Sequence, residues 1–178
     1  NPLFPNGILG TYMVISRCLI AALSEIGVRA EMETSRPQAA VGGLKSFCFS
    51  MPSQYELLVG GRKICGSAQV RSSGSFLQHG SLLLEYDPVR TCKAISNSGK
   101  TDHLLHMTES VTSIGEHVPT RLEPGEFCSV LKSAFERCLG VKIEEDSLAP
   151  EEEDLKRKLV EEKYSRDSWN RMPAGRFR

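Results

Sequence analysis

A chain of 178 residues is long enough to bury a core of its own, and it suits one domain or one domain with a small appendage. Lys plus Arg equal Asp plus Glu at 22 each, and no basic stripe is interleaved with aromatics, so neither feature points to a nucleic-acid partner. The longest apolar run, Met13 to Leu23, is broken by Ser16 and Arg17 and falls short of the roughly 18 continuous residues of a spanning helix. The expectation is a soluble, cytoplasmic chain with no membrane partner.

The cysteines at 18, 48, 65, 92, 128 and 138 show no C-x-x-C and no His at ligand spacing, so no metal site is expected and the thiols read as free, in a reducing compartment. The first residue is Asn1 rather than Met, and "NPLFPNGILG" reads as a loop entering a helix. The expectation is a piece of a longer protein.

From Thr11 to Ile26, apolar residues at Ile15, Leu19, Ala22, Leu23 and Ile26 share one helical face, with Gly27 placed to end the helix. "VRAEME" (28–33) alternates like a short strand, and "TSRPQAAVGGLKS" (34–46) is a loop of small and turn-forming residues that delivers Cys48. Next, "YELLV" and "RKICGSAQVR" flank Gly60-Gly61, a two-residue hairpin turn in which glycine supplies positive φ. That register sets Val59 opposite Arg62 and Leu58 opposite Lys63, and the strand period of two places Lys63 on one face with Glu56, Leu58 and Cys65.

"FLQHGSLLLEY" (76–86) is a third strand, and Asp87-Pro88 caps a short helix through Ile95. The polar segment 96–124 lacks periodicity and carries a weak strand or turn at best. After Pro124, the pattern Phe127, Val130, Leu131, Ala134, Phe135, Cys138, Leu139 is amphipathic, with Gly140 closing the helix. A second helix starts at Pro150, with Glu151 to Glu153 at its positive end and Leu155, Leu159 and Val160 facing inward. Strands first and helices later make an α+β chain, with residues 1–123 as one part and 124–178 as a C-terminal helical segment.

Three features are set aside. "AISNSGKT" (94–101) ends like a phosphate-binding loop, but Ala94 stands where the motif needs its first glycine. His103, His106 and His117 lie in a polar stretch without spaced partners and read as surface histidines. "EEEDLKRKLVEEK" carries opposite charges at helical spacing, the mark of a solvent-facing helix.

Most cysteines are structural, and Cys18, Cys65, Cys128 and Cys138 fall in helix or strand contexts that look like core. Cys48 is different: it sits in a loop, between Phe47 and Phe49, ahead of the hairpin that carries Lys63. An ammonium beside a thiol raises its thiolate fraction, and a lysine that has lost its proton takes one from an incoming amine. Cys48 and Lys63 are therefore the candidate catalytic pair. Gly66, Ser67 and Ala68 leave room beside Lys63, and their backbone N–H groups are candidates to meet an oxyanion.

The stretch "CFSMPSQYELLVGGRKICGSAQVRSSGSFLQHGSLLLEYD" (48–87) resembles the octanoyltransferases of lipoate assembly in Gram-positive-type bacteria, members of the biotin/lipoate ligase superfamily. The matching residues include Cys48-Phe49, Pro52-Ser53, Tyr55-Glu56-Leu57, Gly61-Arg62-Lys63, Gly66-Ser67-Ala68-Gln69, Arg71 and Gln78-His79-Gly80-Ser81. "FPNGILGTYMVISRCLIAALSEIGV" and "KYSRDSWN" (163–170) extend the resemblance more loosely.

The resemblance implies a biotin/lipoate ligase-like mixed sheet flanked by helices. It also implies transfer of an octanoyl group from octanoyl-acyl carrier protein, through a Cys48 thioester, to a lysine of a lipoyl-accepting protein such as glycine cleavage protein H, with no cofactor. Gly66, Ser67, Ala68, Gln69, His79 and Gly80 are then substrate-binding positions, although His79 beside Gly80 in a strand reads equally as a structural residue that orients its turn by a hydrogen bond.

ATP-dependent lipoate ligases share the Gly-Lys-Ile-x-Gly-Ser-Ala core but carry an Arg-Asn-Asp-like run where this chain has Cys48-Phe49 and "PSQYE". That favours the transferase. The alternatives are a ligase half and a non-catalytic accessory chain that docks a lipoyl domain. The family's N-terminal half, with its Arg-Arg-x-[Ser/Thr]-Gly-Gly motif, has no counterpart in the 178 residues, so a missing N-terminal part or a separate chain that supplies it is expected.

Overall fold

The computed structural model describes residues 3–34, 49, 54–72, 74–95 and 101–171. Cys48 and most of the loop that delivers it lie outside the described residues. Two units follow one another along the chain, 1–142 and 143–178.

The first unit opens with α1 (Ile8–Glu25) and then forms a four-stranded antiparallel meander in the order β1 (Glu31–Met32), β2 (Leu57–Val59), β3 (Arg62–Ser72), β4 (Ser75–Leu82). Gly60 and Gly61 take φ of 56° and 76°, the conformation a two-residue primed turn needs. The turn fixes the expected pairs Val59 with Arg62 and Leu58 with Lys63.

One residue further the ladder shifts. Leu57 pairs with Cys65, which leaves Ile64 as an extra residue on β3, a β-bulge. The bulge turns Cys65 to the face opposite Lys63, so the expectation that these two residues share a face is corrected. Cys65 joins Leu23, Val28, Leu57, Val59, Ile64, Ile114 and Phe127 in the main core.

Past β4, Asp87 caps α2 (Pro88–Ile95) by accepting the Arg90 N–H at 2.9 Å. The segment read as an irregular strand or turn instead contains α3 (Thr101–Ser110) and a 3-10 turn at Ile114–Glu116. Met107, fully buried, anchors α3, while its other positions alternate polar and apolar too irregularly to show a face. Between the two, Lys63 bridges Val111 in parallel, and Thr112 N–H donates to Lys63 O at 3.0 Å. His103, His106 and His117 are half-buried rather than surface groups, and His117 Nε2 lies 2.9 Å from Thr112 Oγ1.

α4 (Pro124–Leu139) packs against α1 and belongs to the first unit, which ends at Lys142 rather than before Pro124. By length and composition alone α1 is apolar enough to cross a membrane, but its Cys18, Ala22 and Leu23 are buried, and Leu23 belongs to the core it shares with the sheet and α4. Phe127 and Ala134 are the buried residues of α4, seven apart on one stripe, which leaves Cys128 and Cys138 exposed instead of in the core.

The second unit contains α5 (Pro150–Leu159), continued by a π turn (Val160–Tyr164), and α6 (Asp167–Asn170). Glu151, Glu152 and Glu153 meet the positive end of α5, and Lys156, Arg157 and Lys158 its negative end. Lys156 pairs with Glu153 at 3.0 Å and Arg157 with Asp154 at 2.6 Å. Leu155, Leu159 and Val160 are exposed, contrary to the inner face expected for them. The Trp169 ring is met edge-on by Tyr164 at 5.7 Å and carries the Lys163 ammonium at 4.2 Å.

Candidate functional site

The site is built on the Lys63 face of the β2–β4 hairpins. Lys63 is 3% exposed, and its Nζ lies 2.7 Å from Glu56 Oε2. A charge this deep needs a partner, since desolvating a lone ammonium costs several kcal/mol. The other Glu56 oxygen accepts the Ser67 N–H at 3.3 Å. The Phe49 ring centroid sits 5.1 Å from Lys63 Nζ, a cation–π contact.

Lys63, Glu56 and Phe49 border a cavity of about 450 Å³, with Gly66, Ala68, His79 and Ser81 along its sheet wall. A Cβ at Gly66 would stand 3.4 Å from both Lys63 Cε and the Phe49 ring, so glycine leaves that corner open.

The run Gly66 to Gln69 divides between the two faces because strand side chains alternate. Gly66 pairs with Ser81 and Ala68 with His79 on the Lys63 side. Ser67 borders the Lys63 cavity but also lines, with Gly80, Cys65 and Gln78, a second cavity of about 310 Å³ under α1 and α4. Gln69 donates to Gln78 Oε1 at 2.8 Å and accepts from Arg71 Nε at 3.0 Å, well away from Lys63.

The expected convergence of three N–H groups on an oxyanion does not occur. Leu83 N–H donates to Ile64 O at 3.1 Å, so by antiparallel alternation the backbone groups of Gly66 and Ala68 face β4, while the Ser67 N–H is taken by Glu56. His79 is an exposed mid-strand residue on the cavity wall, and no hydrogen bond from its ring orients a turn among the described residues.

The sequence assigns no role to two of the site residues. Alternation puts Glu56 on the Lys63 face, and its position across the hairpin from a lysine is the signal for a pair. Phe49 stands out only as a neighbour of Cys48. Burial pushes the Cys65 thiol from 9.0 to about 11; the Ser67 hydrogen bond and Lys63 pull it down and Glu56 pushes it up, all by less. Cys65 is thus a protonated core thiol at neutral pH.

The chain is 35% identical over 174 residues to octanoyltransferase LipM of Symbiobacterium thermophilum and 33% identical over 177 residues to octanoyltransferase LipM of Bacillus subtilis. It is covered to 94% and 96% in these matches but spans only 64% of the length of either relative. Among solved structures, lipoate-protein ligase A bound with ATP superposes with a TM-score of 0.67 at 23% identity, over 92% of this chain and 59% of that one. A bi-partite lipoate protein ligase from Thermoplasma acidophilum does so with a TM-score of 0.67 at 18% identity, over 94% of this chain and 59% of that one. These two likenesses show the biotin/lipoate ligase-like fold: a β-meander joined by one parallel bridge and flanked by helices. Residues 2–136 match the catalytic domain of lipoyl protein ligases A and B, and the chain belongs to that family.

Proposed function

We propose that the chain is the part of an octanoyltransferase that carries the reactive thiol and its lysine. The observation that carries this reading is a buried Lys63 ammonium at the wall of a cavity, with Phe49, the residue after Cys48, lying against it. The identity to octanoyltransferases supports it.

In the loading step the Cys48 thiolate attacks the thioester carbonyl of octanoyl-acyl carrier protein. A new C–S bond forms at Cys48, the old one breaks, and the carrier's pantetheine sulfur leaves as thiolate. In discharge, the amine of a lysine on a lipoyl-accepting protein, glycine cleavage protein H being the expected type, attacks the Cys48 thioester. The amide C–N bond forms, the C–S bond breaks, and the amine's proton passes, with Lys63 as the relay, to the departing Cys48 thiolate, which regenerates the thiol. Lys63 serves loading by its charge and discharge by its proton exchange. The donor is the thioester itself, and the reading needs neither cofactor nor metal. A reducing cytoplasm keeps the nucleophile a thiol. Because the chain spans 64% of the length of its octanoyltransferase relatives, the reading takes the half that the resemblance implies, with its Arg-Arg-x-[Ser/Thr]-Gly-Gly motif, to be supplied by further polypeptide, joined or separate.

The test uses the protein with that half present, incubated with octanoyl-acyl carrier protein and followed by mass spectrometry. An octanoyl adduct is expected on Cys48, absent in Cys48→Ser and retained in Cys65→Ser. Lys63→Ala should slow both loading and discharge. Product formation that requires ATP and proceeds in Cys48→Ser would overturn the transferase reading in favour of a ligase.

A further inference from the structure

We infer that Glu56 is the positioning residue of Lys63: it fixes the ammonium against the cavity wall for the loading step. The inference rests on the octanoyl-transfer reading above and deepens it.

Three independent features of the backbone serve to bring these two side chains together. Tyr55, which directly precedes Glu56, has φ of 68°, the only positive φ outside glycine among the described residues. That conformation is held from two sides: the Tyr55 N–H donates to Glu33 O at 2.7 Å, and the Tyr55 carbonyl accepts the buried Ser16 hydroxyl of α1 at 2.7 Å. Left-handed backbone at a non-glycine residue is unfavourable and persists where its surroundings over-determine it, commonly beside functional groups. Across the hairpin, the bulge at Ile64 leaves Lys63 on the Glu56 face while sending Cys65 into the core. Finally, the Ser67 N–H occupies the second Glu56 oxygen and fixes the carboxylate's rotation. A simple structural ion pair needs none of these constraints.

The charged and titratable groups around Lys63 make Glu56 decisive. Tyr12 approaches from α1, its hydroxyl pushed up by burial and then by Glu56. Cys65 on β3 is a protonated core thiol. His79 on β4 lines the far wall. At the turn, Arg62 is already paired with Glu116 at 2.8 Å. The Val111–Ser113 segment alongside contributes the Thr112 N–H to the Lys63 carbonyl and no charge. Among these described groups, Glu56 is the one whose carboxylate is seen in contact with the ammonium, at 2.7 Å.

The experiment measures the pH midpoint of Cys48 alkylation by iodoacetamide, alongside octanoyl loading, in the complete protein and in Glu56→Gln and Glu56→Asp. If Glu56 holds the Lys63 ammonium where the octanoyl-transfer reading needs it, Glu56→Gln weakens the support this cation gives the Cys48 thiolate, and the midpoint rises by about one pH unit or more, a tenfold loss of thiolate in the titrating range. Glu56→Asp, which keeps the charge, should restore most of it.

An unchanged or lowered midpoint in Glu56→Gln would overturn the inference, because deleting a bystander anion makes the thiol easier to ionise. The paired variant Glu56→Gln/Lys63→Gln leaves no lone buried charge and serves if Glu56→Gln alone does not fold. Its midpoint should not exceed that of Lys63→Gln, since Glu56 acts through Lys63, and a higher one would overturn the inference. Absence of a Cys48 octanoyl adduct in the unsubstituted protein would instead defeat the octanoyl-transfer reading itself.

Discussion

Lys63 and Glu56 form a pair whose removal is asymmetric. With both side chains 4% exposed, losing one partner takes the opposite charge of the pair away from a buried ion, which costs about 3–5 kcal/mol, whereas replacing both by apolar groups of similar size is close to neutral. Lys63→Met should therefore lower the urea midpoint sharply, and Lys63→Met/Glu56→Leu should recover most of the loss. Equal destabilisation in the single and double variants would show that packing, not charge, holds this corner. Cys65 gives a second prediction, in pH. Its thiol is raised in the folded state from 9.0 to about 11, so above pH 9 the unfolded chain gives up a proton that the folded one keeps. The stability it contributes is complete below pH 9 and is lost as pH rises toward 11. Denaturant titrations between these values should show a steeper fall in stability for the unsubstituted chain than for Cys65→Ala.

Among the elements, the central hairpin was readable in its first half and not in its second. Gly60-Gly61 permits one turn type, the turn fixes the pairing, and Leu58 opposite Lys63 follows without knowledge of the rest of the fold. The bulge is different, because Ile64 is as good a strand residue as its neighbours and the two-for-one count is set by how β2 ends against α1 and Glu33. With the bulge unseen, the strand period puts Cys65 beside Lys63 and offers the small residues 66–68 as one surface, although a strand divides them. Lys63, Gly66, Ser67, Ala68 and His79, which the motif offers as site positions, border one cavity, whereas Gln69 and Gly80 from the same motif face away from it. α3 was missed because a single fully buried position, Met107, gives too little periodicity to register. The open corner at Gly66 yields an element-level prediction. A valine there places methyl groups where a bare Cβ already stands 3.4 Å from Lys63 Cε and Phe49, so on the proposed octanoyl-transfer reading Gly66→Val should close the cavity and abolish Cys48 loading while moving the thermal midpoint by only a few degrees. Loading at the normal rate in a folded Gly66→Val protein would show that the acyl chain does not use this cavity.

At the scale of the whole chain, helical periodicity after Pro124 was legible but its allegiance was not. α4 and α5 both carry apolar residues at helical spacing, and the sequence reading joined them into one segment. What separates them is burial. Phe127 is 4% exposed in the main core and Ala134 is fully buried, whereas α5 buries no residue at all. A pattern of spacing records which residues would share a face, and only the partner surface decides whether that face is covered. The contrast predicts opposite outcomes for two truncations. Ending the chain at Lys142 removes the second unit and no member of the core cluster, so cooperative unfolding in circular dichroism should persist with little change in midpoint. Ending it at Glu123 removes α4, taking Phe127 out of the core together with Val130 and Leu131 that pack against it. Truncating one buried phenylalanine to alanine costs about 3–5 kcal/mol, a large part of a typical domain's total of about 5–15 kcal/mol. Phe127→Ala alone should then lower the midpoint strongly, and the chain ending at Glu123 should unfold without a cooperative transition. A sharp transition in that shorter chain would mean that the sheet and α1 form a folding unit without α4, and that the boundary after Lys142 does not mark the limit of the stable core.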